Sequence, residues 1–128
     1  GKTFIPVIFN SNISSISCGE YHALFLLDDG SVYSSGRGTR GQLGLVNRSG
    51  DARTSAHAPT RVSNLSKIAF VYCKGSSSFC VDDAGEAFYF GYISGNRECK
   101  IASRCDFPSP VVAISNYIFL GGDELLDE

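Results

Sequence analysis

The chain repeats itself, and that repeat limits its possible folds more than any other feature. Ile16-Ser-Cys-Gly-Glu-Tyr-His-Ala-Leu-Phe-Leu-Leu-Asp-Asp-Gly-Ser-Val-Tyr-Ser-Ser-Gly36 aligns without a gap on Val71-Tyr-Cys-Lys-Gly-Ser-Ser-Ser-Phe-Cys-Val-Asp-Asp-Ala-Gly-Glu-Ala-Phe-Tyr-Phe-Gly91, at an offset of 55 residues. Cys18 falls on Cys73, Gly30 on Gly85 and Gly36 on Gly91, while upstream Ile13 falls on Ile68 and Val7 on Val62. A third copy begins near Pro110-Val111 and reaches Gly121 and Gly122. A period of about 50 residues is that of propeller blades or solenoid units, each a supersecondary unit that buries its apolar face only by stacking on a neighbour.

Each copy reads as β-strands. The apolar run Ala23-Leu-Phe-Leu-Leu27 stops at Asp28-Asp29-Gly30, and a second short run, Val32-Tyr-Ser-Ser35, follows. Two short runs divided by Asp and Gly predict a β-hairpin. The second copy has Asp83-Ala84-Gly85, which puts Ala where a two-residue type I′ loop would need positive φ. A type I turn with Gly in the left-handed position, forming a bulge, suits both copies. No stretch of a dozen residues keeps a 3.6-residue apolar period, so the fold class is all-β.

These residues resemble the repeat of the regulator of chromosome condensation family. The family pattern runs Cys-Gly-x-x-His, an apolar strand, Asp-Gly, a strand closing on Gly, then Gly-Gln-Leu-Gly. The first copy supplies Cys18, Gly19, His22, Asp29, Gly30, Gly36 and then Gly41-Gln42-Leu43-Gly44, and Pro59-x-x-Val62 leads into the next copy. The second copy keeps Cys73, Gly85 and Gly91, but has Lys74 for Gly and Ser77 for His, and no Gly-Gln-Leu-Gly. The resemblance implies a partial β-propeller of four-stranded antiparallel blades with long loops: a first blade over 1–58, a degenerate second over 59–107 and an incomplete third over 108–128. Open strand edges in such a segment would pair with the rest of a propeller or with another copy. The chain opens on Gly1 and has no Met, so it reads as a fragment, a processed product or a chain with an added start, and the natural protein is expected to be longer.

The resemblance also implies a function. The founding member is a nuclear exchange factor for the Ran GTPase that binds chromatin, whereas most relatives act as protein-binding scaffolds. The expected role is therefore a scaffold that binds protein partners through its loops, with part of an exchange factor for a Ran-like small GTPase as the alternative. A fold alone does not fix which. No nucleophile, base and oxyanion donors assemble by spacing, so no enzyme is expected. The net charge of −2 gives no support to chromatin binding, and no apolar run approaches the ~18 residues of a membrane helix. Five cysteines, an odd number, suit a reduced compartment, so an intracellular setting, nucleus or cytoplasm, is expected.

Several motifs have plain structural readings. Gly36-x-Gly38-x-x-Gly41 matches a dinucleotide-binding string, but the residues after it do not suit the helix such a site needs, so no cofactor is expected. Cys18 with His22, and Cys99 with Cys105, lack paired zinc spacing, so no metal is expected. His57 reads as a solvated loop residue, and the segment from Tyr92 to Phe107 as a loop of mixed charge. The charge layout is more informative. Between Gly36 and Arg61 lie Arg37, Arg40, Arg48, Arg53 and Arg61 against one acid, Asp51. The Asp-Asp-Gly hairpins gather Asp28, Asp29, Asp82, Asp83 and Glu86. In a meander, successive connections alternate between the two ends of the strands. One end should then be basic and the other acidic, with the five arginines forming a surface for an acidic partner.

Overall fold

The computed structural model describes residues 7–94 and 97–104. Two four-stranded antiparallel sheets form in chain order. The first holds β1 (Ile13–Cys18), β2 (His22–Leu27), β3 (Val32–Arg37) and β4 (Ser55–Arg61); the second holds β5 (Ile68–Lys74), β6 (Ser77–Asp82), β7 (Ala87–Ser94) and β8 (Arg97–Arg104). The 55-residue offset survives through the first three strands of each sheet. It lapses after β3 because 17 residues join β3 to β4, whereas two join β7 to β8. The third copy, over 108–128, and Cys105 lie outside the described residues.

The hairpin turns follow their chemistry. Gly30 N–H donates to Leu27 O at 2.9 Å with Gly30 at φ +83°, and Gly85 N–H donates to Asp82 O at 3.1 Å with Gly85 at φ +85°. Both are type I turns closed by a left-handed glycine. In the first, Asp29 accepts from the Ser31 hydroxyl at 2.6 Å and the Ser31 amide at 2.9 Å, which hold its carboxyl below the usual range.

The core lies between the sheets. Leu24, Leu26, Val32, Leu43 and Ala56 of the first half pack with Val62, Ile68, Val71, Cys80 and Phe90. Strands β1 and β2 lie against β5. Cys73 N–H donates to Ser17 Oγ at 2.9 Å, and Glu20 N–H to Gly75 O at 2.9 Å.

Two segments differ from the sequence reading. The stretch from Tyr92 to Phe107, expected as a loop, contributes the end of β7 and all of β8. Strand β8 reads Arg-Glu-Cys-Lys-Ile-Ala-Ser-Arg, with no alternation to reveal it, because it is an edge strand ordered by pairing with β7. Likewise β4 runs across the expected boundary between residues 58 and 59, so Pro59 belongs to the outer strand of the first sheet, where a missing N–H costs no ladder bond. His57 is exposed as expected, but on this strand and not in a loop.

Candidate functional site

The β1–β2 turn, the 38–54 connection and the β5–β6 turn lie at one end of the sheets. The register that pairs His22 with Gly36 sets Tyr21 opposite Arg37, whose amide donates to Tyr21 O at 2.8 Å. The Arg37 guanidinium stacks 4.8 Å from the Tyr21 ring centroid, and Tyr21 is 57% exposed. Arg40 stacks 4.9 Å from the Tyr92 ring of the second sheet and lies 3.9 Å from Glu98. Such a stack holds a long flexible side chain in place while its charge still faces water.

Arg48 occupies the tip of a small ordered turn. Asn47 Oδ1 accepts from the amides of Ser49 at 2.9 Å and Asp51 at 3.1 Å, and Val46 bridges to Ala52. Arg53 Nη2 donates to Ser55 O at 3.4 Å. Four of the five arginines are thus carried on the end of β3 and the long connection. Arg61 is not with Arg37, because β4 travels the length of the sheet and ends beside Tyr33. There its charge helps lower the pKa of Asp29. The hairpin end is also less acidic than its sequence suggests, because Arg104 pairs with Glu86.

The repeat-motif residues form the seam beneath this end. Gln42, Leu43 and Ser34 are buried, and Ser34 Oγ donates to Leu43 O at 2.7 Å. Gln42 Oε1 accepts from Arg40 N–H at 2.8 Å. Ser78 Oγ donates to Gln42 O at 2.8 Å, so its single proton is committed. The His22 Nε2 that sits 2.8 Å from Ser78 Oγ must then carry the donated hydrogen. Burial pushes the His22 pKa down to about 4, so the ring is neutral near pH 7. Its Nδ1 is buried without a hydrogen-bond partner among the described residues. This arrangement ties β2, β6 and the 41–44 loop together.

The glycine string also serves packing. A Cβ on Gly41, at φ +82°, would meet Cys99 O at 2.8 Å and Lys100 Cα at 2.9 Å, so the loop closes directly on β8. Gly91, at φ +99°, and Gly19 are similarly crowded, and Gly44, at φ +66°, lies against the Phe90 ring. Turns follow this string, and no helix occurs among the described residues. No group of three or more His, Cys, Asp or Glu side chains could hold a metal among them.

The sequence reading missed Tyr21, Tyr92, Ser34 and Ser78. Tyr21 was reachable: counting outward from Asp28-Asp29-Gly30 in hairpin register brings it opposite Arg37. Tyr92 and Ser78 become partners only across the seam.

The regulator of chromosome condensation (RCC1) repeat profile matches residues 13–42, and a second profile of the same description matches residues 29–81. The chain is 36% identical over 89 residues to the mitochondrial RCC1 domain-containing protein RUG3 of Arabidopsis thaliana, covering 68% of this chain and 19% of that protein. It is 40% identical over 95 residues to the human probable E3 ubiquitin-protein ligase HERC6, covering 73% and 9%. It is 31% identical over 117 residues to the mouse regulator of chromosome condensation, covering 87% and 27%. The chain therefore spans under a third of each of these relatives. Among solved structures, Saccharomyces cerevisiae Prp20p, described with its binding to Gsp1p and histones, superposes with a TM-score of 0.70 at 24% identity, over 81% of this chain and 28% of that one. The same yeast protein bound to Kap60 gives a TM-score of 0.68 at 24% identity, over 81% and 27%. Both share the fold of the two sheets.

Proposed function

Since the chain belongs to the regulator of chromosome condensation (RCC1) repeat family and its two sheets are part of a propeller of that type, we propose that it is a protein-interaction scaffold whose loop end receives an acidic partner. The observation that carries this reading is the pair of arginine–tyrosine stacks, Arg37 on Tyr21 and Arg40 on Tyr92, presented from two sheets at the same end. Tyr and Arg are the side chains that most often dominate interface energetics. Held in place before binding, they lose less freedom when a partner arrives. Arg48 and Arg53 extend the charge along the 38–54 connection. Protein partners named for Prp20p, namely Gsp1p, histones and Kap60, accord with a binding role for the fold. The role assigned here is binding and not catalysis, in an intracellular setting.

Charge reversal tests it. Partners recovered with the chain should fall at least ~10-fold with Arg40→Glu/Arg48→Glu at unchanged melting temperature, since an interface hot spot is worth about 2 kcal/mol or more. An unchanged partner set overturns the reading. A second reading, part of an exchange factor for a Ran-like GTPase, is favoured by the mouse relative and by Prp20p binding Gsp1p. Accelerated release of labelled GDP from Ran by the full-length protein would establish it.

A further inference from the structure

Arg53, at the end of the 38–54 connection, and Arg61, at the end of β4, also line one hollow. A hollow of about 260 Å³ lies between the outer strands of the two sheets. Arg53, Thr60 and Arg61 line it with Ser63 and Asn64 of the β4–β5 link, and Leu45, Val46 and Ile101 form its apolar walls. Val46 and Ile101 remain about two-fifths exposed. Among the described residues, no carboxylate lies within 4.0 Å of either guanidinium; the Asp29 charge that Arg61 feels lies at the neighbouring hairpin. Arg53 spends one N–H on Ser55 O; most of its planar fork is uncommitted.

We infer that this hollow binds a phosphorylated side chain on an extended peptide of a partner protein. Three features select that chemistry. The hollow, about 260 Å³, lies at the small end of the ~300–1,000 Å³ range of ligand sites and admits a side-chain-sized group. Two guanidinium groups match the charge of about −1.5 to −2 on a phosphomonoester better than the single charge of a carboxylate. Arginine forks, a hydroxyl and an amide supply directed donors for several phosphate oxygens. The apolar walls beside the charge suit hydrophobic residues flanking the phosphate. The hollow is separate from the stacked Arg37 and Arg40, so one partner could engage both regions or two partners one each.

The test uses three fluorescein-labelled peptides differing only at a central residue flanked by valines: phosphoserine, serine or glutamate. Binding to the full chain is read by anisotropy, and location by amide shifts of Ser63 and Asn64. The phosphopeptide should bind at least ~10-fold more tightly than either control and shift both amides. Arg53→Gln and Arg61→Gln should each weaken it about 10-fold, the scale of a lost charged hydrogen bond. Arg37→Gln/Arg40→Gln should leave it unchanged, which separates this site from the loop-end reading. Arg61 is exposed, so Arg61→Gln retains the fold even if Arg53→Gln does not. Equal affinity for the phosphoserine and glutamate peptides, no saturable binding, or equal weakening by Arg37→Gln/Arg40→Gln overturns the assignment.

Discussion

The Ser78 hydroxyl accepts from His22 Nε2 and donates to Gln42 O, both at 2.8 Å, and so joins β2, β6 and the glycine-rich loop. Ser78→Ala strands a buried N–H and a buried carbonyl, so it should cost about 1–3 kcal/mol in urea unfolding; a loss below ~0.5 kcal/mol would contradict the relay. His22 adds a pH dependence. Its folded pKa, about 4, lies below the ordinary 6.5, so between those values the unfolded chain binds the proton more readily. Stability should be complete above pH 6.5 and fall as pH drops toward 4, by up to about 3 kcal/mol from this group. His22→Gln should flatten that part of the unfolding profile, and an identical profile would remove His22 as its source. His22 is expected from the sequence as a packing and hydrogen-bonding residue, and it is buried against Ser78. The sequence could not show Ser78, because the partner comes from the next repeat at a position where the first has Ala23.

Among the elements, the hairpins were the most legible, since Asp-Asp-Gly and Asp-Ala-Gly each allow few turns. The edge strand β8 was the least legible, because its order comes from pairing and not from its own pattern. The same difference explains the arginines: their clustering in sequence was visible, but the length of β4 takes Arg61 to the far end. The loop 41–44 is legible as a motif, and its tolerance to change follows from what it touches. Gly41 and Gly50 share nearly the same φ, +82° and +83°, yet a Cβ meets β8 at Gly41 and open space at Gly50. Gly50→Ala should therefore cost about 1–2 kcal/mol, the left-handed penalty alone. Gly41→Ala should cost visibly more and loosen β8, read as faster amide exchange along β7–β8. Equal costs would mean that the loop gives way at the seam.

At the scale of the whole molecule, matched positions have different surroundings. Ile68 is 4% exposed and Val71 5%, covered by the first sheet; their counterparts Ile13 and Ile16 are 40% and 54% exposed. Val71→Asp should therefore cost more than about 3 kcal/mol, while Ile16→Asp should change the stability of this chain by less than ~0.5 kcal/mol. A large loss at Ile16 would show that its face is covered in solution. Cysteine follows the same rule in a chemical form. Cys73 is buried, and burial raises its thiol pKa to about 12, so it is a poor nucleophile; Cys18, at the equivalent place one repeat earlier, is exposed. One repeat position thus has two reactivities, set by whether a neighbouring sheet is stacked on it. Wherever a further sheet covers β1, Cys18 would become as inert as Cys73, so its alkylation rate would report that sheet's docking and release.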